Sequence, residues 1–366
     1  MRVPFFRPAI TDRERELVRS VLDSGWLTTG QMVARMEELV RVQAGAGHVI
    51  AFPSCTLALY AALTYYRSQW VGETCYVMTT PLTFVGTAQA IQWAGATPIF
   101  ADVREDGQFD WQRLHEYRPA QNVMAIMPVH YGGGPAWEGE QLARCPVIYD
   151  AAHAIGLPEV GRHGTAACFS FYANKNVTSA EGGCVTTNDA CYASWLRAYR
   201  NHGFTEPVGD RYKRPNAWNQ VSQMFGINGH LSDVHAAIAV GQLERFDELQ
   251  AARALRVQQY DQGLRRAVDA GRIRILPHDP PHGLHLYVIE VLDGPVTRNA
   301  LLLRLAEKGI GSSVHYPPVT EHATYWQPTP PVADRLARGI LSLPLFPTMS
   351  EDECAYVCTE VTQCLM

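Results

Sequence analysis

Val147-Ile148-Tyr149-Asp150-Ala151-Ala152-His153 is an apolar run that delivers a carboxylate and, three residues on, an imidazole. An acid at the end of a buried strand needs a partner, because an unpaired charge away from water is costly. A second apolar run, Phe169-Ser170-Phe171, gives out into Tyr172-Ala173-Asn174-Lys175-Asn176 and so ends beside an amine. Both belong to a series of short apolar runs separated by helical patterns: His48 to Pro53, Thr74 to Thr80, Thr97 to Val103, Val123 to Val129, Pro146 to Asp150, Ala167 to Tyr172 and Cys184 to Thr187. Seven such runs predict an α/β fold with one large sheet. Most gaps are long enough for a crossover helix, as in Cys55 to Tyr66 and Thr83 to Trp93, so the sheet should be mostly parallel. The closer spacing of the last two runs predicts an antiparallel strand there. A long amphipathic stretch, Leu231 to Val268, then leads to Arg274-Ile275-Leu276, His285 to Val291 and a helix over Asn299 to Lys308, which describe a smaller α+β domain. The expected division is residues 1–247 for the large domain with its N-terminal segment and 248–366 for the small C-terminal one.

The 366 residues are 47% apolar and 18% charged, enough for a large core, with a net charge of -5. Charges of both signs are interspersed, so there is no basic stripe for nucleic acid and no polybasic membrane segment. No apolar run reaches 18 residues and Met1 to Arg7 lacks a signal-peptide core, which sets a cytoplasmic expectation. Nine cysteines, without a C-x-x-C pair, read as reduced thiols; Cys354, Cys358 and Cys364 fit a buried face of a terminal helix better than a metal site.

Only three of the 31 basic residues are lysines, at 175, 213 and 308. Lys213 lies in a polar stretch and Lys308 precedes Gly309, where a cation suits a helix end. Lys175 is different in standing at a strand end. A lysine amine can lose its proton and attack a carbonyl, which guanidinium cannot do; survival under a biased composition is the competing reading.

In an open α/β sheet ligands sit outside the carboxyl ends of the strands. Four such ends carry chemistry. Ser54-Cys55-Thr56 opens a helix, which is either a plain N-cap or a phosphate site. Thr80-Pro81-Leu82-Thr83-Phe84 sets a ring at a helix start, as core or as a stacking partner. The other two are Asp150 with His153, and Lys175 with Ser170 before it and Glu181-Gly182-Gly183 after it. An amine, a buried carboxylate, a phosphate-binding helix start and an aromatic plate are the parts a pyridoxal phosphate enzyme needs.

On these blocks, together with Ser24 to Gly30, Pro128-Val129-His130-Tyr131-Gly132, Gly226-Ile227-Asn228 and Leu341 to Pro347, the chain resembles the DegT/DnrJ/EryC1/StrS aminotransferases, a branch of the fold-type I, aspartate-aminotransferase-like pyridoxal phosphate enzymes. The resemblance covers almost the whole length. It implies that Lys175 holds the cofactor covalently, that Asp150 partners the pyridine nitrogen and that His153 lies near the phenolic oxygen. It further implies that Phe84 stacks on the ring, that Cys55, Thr56 and Ser170 hold the phosphate, and that Asn228 reaches that phosphate from the other subunit of a homodimer. His315 and Tyr316 fall where the family lends side chains to the sugar, or form a structural pair. Three departures stand out: Cys55 replaces a common glycine, His153 a common glutamine, and His230 a common arginine.

The implied reaction transfers the amino group of L-glutamate to a nucleotide keto-sugar, with ping-pong kinetics. The Lys-Asn and Glu-Gly-Gly context is similar to members that aminate a 4-keto-6-deoxyhexose nucleotide. Alternatives are a C3-keto sugar or cyclitol aminotransferase of the same family, or a non-catalytic ligand-sensing homologue. Lys175 argues against relatives that dehydrate with histidine at its place, and no Walker loop or Gly-x-Ser-x-Gly elbow supports a kinase or hydrolase.

Overall fold

The computed structural model describes residues 1–117, 122–206 and 221–366, so Lys213 lies outside the described residues. Seven strands form in the expected places: β1 (His48–Phe52), β2 (Tyr76–Thr79), β3 (Thr97–Phe100), β4 (Val123–Ile126), β5 (Ile148–Asp150), β6 (Ala166–Ser170) and β7 (Gly183–Thr187). Instead of one continuously paired sheet they make two, in the orders β3-β2-β4 and β5-β6-β7-β1. The parallel bridges Ile126 to Val147 and Val129 to Asp150 join them between β4 and β5. β2 runs parallel to β3 and β4, and β5 parallel to β6, whereas β7 is antiparallel to both neighbours.

Both faces are covered, and the two-residue period of each strand assigns its side chains. Ile50, Phe52, Ile148 and Cys168 pack against α3 (Cys55–Gln69), α4 (Val85–Trp93) and α5 (Ala190–Tyr199). Val49, Ala51, Tyr149, Ala167 and Phe169 face the other way, onto α1 (Asp12–Ser24), α2 (Gln31–Ala44) and α6 (Asp233–Leu243). Burial on both sides is why the strands read as apolar runs instead of alternating ones.

Two expectations are corrected. Among the described residues the β3–β4, β4–β5 and β5–β6 connections carry only 3-10 turns, at Trp111–Tyr117, Tyr131–Gly133, Glu140–Leu142 and Val160–Arg162, so those crossovers lack an α-helix. The amphipathic stretch from Leu231 is three helices, α6, α7 (Phe246–Gly263) and α8 (Arg265–Asp269). Its first break is at Glu244-Arg245, where the Arg245 guanidinium turns to the buried Glu14 carboxylate at 2.9 Å and to the Ala9 carbonyl at 2.9 Å. The C-terminal part carries an antiparallel sheet, β8 (Ile273–Ile275), β9 (Tyr287–Val291) and β10 (Ile340–Leu343), with β9 in the centre. Its core gathers residues of α7, of α9 (Arg298–Glu307) and of α11 (Glu351–Leu365), and it also takes in Val3, which bridges to Ile310. α10 (Pro331–Gly339) joins a smaller cluster in which Leu82 and Tyr131 meet Leu276 and Val288, fastening the C-terminal sheet over the carboxyl edge of the large one. All nine cysteines are free, and Cys354 and Cys358 are buried in α11 as expected. Among the described residues no helix is long and apolar enough to cross a membrane, and no cluster of metal-ligating side chains is present.

The start of α2 is held by one buried side chain. Asp233, buried at the start of α6, accepts from the backbone N–H groups of Gly30, Met32 and Val33 at 2.8, 3.1 and 3.0 Å. These are donors that α2 itself leaves unpaired, and its positive end favours the carboxylate. Asp233→Ala is expected to cost about 2–4 kcal/mol through three lost charge-assisted hydrogen bonds. Guanidinium unfolding should show it as a lower midpoint with unchanged slope; a midpoint that does not move would contradict this role.

Candidate active site

The carboxyl ends of β1, β2, β5 and β6 surround a cavity of about 500 Å3, lined by Cys55, Thr56, Phe84, Asp150, His153, Ser170, Lys175, His315 and Tyr316 among others. Nine of the ten residues singled out by sequence therefore converge on one site. The tenth, Asn228, does not line it; it lies exposed in a backbone bridge with Asn201.

At one end of the cavity α3 begins. Ser54 caps it, its hydroxyl accepting from the Leu57 N–H at 3.2 Å, while the N–H groups of Cys55 and Thr56 are first-turn donors without an intrahelical acceptor. The Cys55 thiol points to the Cys168 carbonyl, so this residue offers the cavity its backbone alone. The helix start sits directly on β7: a Cβ at Gly183 would fall 2.4 Å from the Cys55 nitrogen, which accounts for the glycine there. Gly86 has the same origin, since a Cβ would stand 2.7 Å from the Thr56 hydroxyl and 3.1 Å from the Phe84 ring.

Asp150 is buried at the end of β5. Burial pushes its carboxyl up, and the Thr87 hydroxyl at 2.7 Å, the Ala152 N–H at 3.1 Å and the Lys175 charge pull it back toward ionisation. Thr87 was not singled out by sequence. Its place four residues after Thr83, whose hydroxyl it meets at 2.8 Å, puts both on one face of the turn and was the available signal.

Lys175 is half-buried on the loop between β6 and β7. Desolvation brings its amine down to about 8, against the pull of Asp150, which raises it. At pH 7 roughly one such amine in ten is unprotonated, against fewer than one in a thousand for an ordinary lysine. The loop is held by the next residue: Asn176 donates to the Gly283 carbonyl at 2.6 Å and accepts from His285 Nδ1 at 3.0 Å. Neither contact had a sequence signal, because both partners lie more than 100 residues away.

Phe84, the residue preceding α4, is 58% exposed and faces the cavity, and its ring lies 6.2 Å from that of Tyr316. His153 accepts from the Gly132 N–H at Nδ1, 3.3 Å, and meets the Tyr316 hydroxyl at Nε2, 2.9 Å. Burial pushes its imidazole well below the usual range and leaves it neutral. His315 bonds the Ser342 hydroxyl at 2.9 Å and stacks on Phe5 at 5.3 Å; burial brings it down to about 3.

One sheet edge thus brings together a desolvated amine, a buried carboxylate and an open helix start. The sequence profile of the DegT/DnrJ/EryC1/StrS aminotransferase family matches residues 8–362, and the chain belongs to that family. It is 34% identical over 371 residues to the spore coat polysaccharide biosynthesis protein SpsC of Bacillus subtilis (strain 168), covering 96% of this chain and 94% of SpsC. Among solved structures, Spr1654 of Streptococcus pneumoniae, assigned as a sugar aminotransferase and solved in its PLP form, superposes with a TM-score of 0.87 at 25% identity over the whole of both chains. DesI, solved in the presence of its TDP-sugar product, gives 0.84 at 28% identity over 97% of this chain and 90% of DesI.

The pairing of Lys175 with Asp150 has a measurable consequence. Labelling of Lys175 by an amine-reactive sulfonate, followed by peptide mass spectrometry of the cofactor-free protein, should reach half its maximal rate near pH 8. Asp150→Asn should move that midpoint to lower pH, because the carboxylate is what favours the ammonium. A shift in the opposite direction would refute the pairing.

Proposed function

We propose that this protein is a pyridoxal phosphate-dependent aminotransferase that moves the amino group of L-glutamate to a nucleotide keto-sugar, a 4-keto-6-deoxyhexose nucleotide in the reading best supported. The observation that carries it is the convergence of Lys175 and Asp150 in one cavity, the amine desolvated and the carboxylate clamped by Thr87. The TDP-sugar product in whose presence DesI was solved, and the part of SpsC in spore coat polysaccharide biosynthesis, support the sugar-nucleotide class.

The residues present fit the cofactor. The unpaired first-turn N–H groups of Cys55 and Thr56, with the Thr56 and Ser170 hydroxyls, suit a phosphate at a helix start. Phe84 offers an apolar face to a ring. Asn228, exposed and outside its own chain's cavity, suits the phosphate of a second copy, which supports a homodimer. When bound, pyridoxal phosphate supplies an aldehyde to carry the amino group and a ring that accepts electrons.

The chain's residues would then divide the work. Asp150 holds a proton on the pyridine nitrogen, the state its ionised carboxylate favours. Lys175 Nζ takes up and returns the proton that leaves the donor carbon, a role its lowered basicity suits near neutral pH. The wall of His153, His315 and Tyr316 keeps water from that exchange. Two half-reactions share this machinery, so glutamate and keto-sugar should bind in turn to two different forms of the enzyme, giving a ping-pong pattern. The cofactor site falls within residues 1–247, with His315 and Tyr316 brought by residues 248–366, and the cytoplasm is the compartment that suits both co-substrates.

Purified protein with pyridoxal phosphate should show a visible absorption band, and with glutamate and a panel of nucleotide keto-sugars it should release 2-oxoglutarate and aminosugar in equal amounts. Lys175→Ala should lose the protein-bound band and at least about 1000-fold in turnover. A variant that retains full transamination would overturn the assignment, and sugar-nucleotide binding without product would favour a sensor.

A further inference from the structure

The wall opposite Asp150 contains a hydrogen-bond chain whose direction follows from one backbone donor. The Gly132 N–H can only donate, and it points at His153 Nδ1. The neutral ring of His153 carries one proton, which is therefore on Nε2. Nε2 lies 2.9 Å from the Tyr316 hydroxyl, so the imidazole donates and the phenol oxygen accepts. Tyr316 keeps its own proton, and burial pushes its phenol well above the ordinary range, which preserves that donor. Among the described residues no second partner touches the hydroxyl, and the side chain lines the cavity.

His285 reinforces the arrangement from behind, its ring centroid 4.4 Å from that of His153. The Asn176 amide is oriented by its donation to Gly283, so its oxygen faces His285 and can only accept from Nδ1. His285 Nε2 is then a bare lone pair, buried and without a partner. It gives His153 no acidic neighbour that would protonate it.

We propose that Tyr316 is the residue that donates a hydrogen bond to an anionic oxygen on the bound ring, and that His153 is a positioning residue whose Nε2–H turns the phenol proton into the cavity. The family resemblance places His153 next to the cofactor's phenolic oxygen; in this chain its single N–H is engaged by Tyr316, and the phenol takes that contact. The inference rests on the pyridoxal reading above. The titratable groups acting on Tyr316 are Asp150, Tyr131 and Cys55, with neutral His153 and His315 beside it, and none but His153 is altered in the variants below.

Spectral pH titration of the holoenzyme tests it, together with long-range nitrogen-proton NMR of the histidines in the cofactor-free protein. A donor stabilises the deprotonated form of the bound ring system, so Tyr316→Phe should raise the midpoint of the visible band by about one pH unit. His153→Ala should raise it by less, and His153→Gln, whose amide also donates to the phenol, should return it to the wild-type value. NMR should find His153 protonated on Nε2 alone. An unchanged midpoint in Tyr316→Phe, or a proton on Nδ1 of His153, would overturn the proposal. Failure of wild type to form any band would instead overturn the cofactor reading, and with it the acceptor named here, while NMR would still report the direction of the His153–Tyr316 bond.

Discussion

A half-buried lysine amine lowered by desolvation, sharing one cavity with a buried carboxylate, is the constraint from which the rest of the site follows. Each charge destabilises itself by burial and stabilises the other, and neither is left to settle alone: Thr87 and the Ala152 amide pull Asp150 back toward ionisation against its burial while Lys175 is drawn down to about 8. The sheet serves this balance. β5 and β6 lie side by side and in parallel, so their carboxyl ends open on the same edge. The buried strands can end in charge there because the helix starts and loops around them supply hydrogen-bond partners.

Much of this was legible in the sequence because strand ends in an open α/β sheet are readable from apolar runs alone. Asp150, Ser170 and Lys175 each follow such a run, and Cys55 and Phe84 each stand where a helix begins after one. The antiparallel turn of β7 also followed from spacing. What failed to show has a common character. The break between α6 and α7 falls where Arg245 reaches Glu14, and the lysine loop depends on Asn176 reaching Gly283 and His285. Those contacts join segments far apart in the chain, and local periodicity holds no record of them. Crossovers without α-helices were missed for a related reason: a gap length permits a helix without requiring one.

The glycines beside the site show how close packing shapes a binding surface. Gly183 lets β7 carry the first turn of α3 almost in backbone contact, and Gly86 leaves room for the Thr56 hydroxyl and the Phe84 ring. Both belong to motifs that sequence comparison alone would treat as labels. Their physical content is that a methyl group at either position would displace the donors that face the cavity.

The seating of Val3 beside Ile310 carries a consequence for how the chain reaches this fold. Val3 donates to Gly309 and accepts from Gly311, and its side chain is wholly buried in the C-terminal core. During synthesis it emerges about 300 residues ahead of that partner, a delay of roughly 15–60 s at 5–20 residues per second. For that interval the segment leading into α1 has no native sheet to join. The large sheet can assemble on the ribosome, but the strap that ties the two ends of the chain together closes only after translation is nearly over.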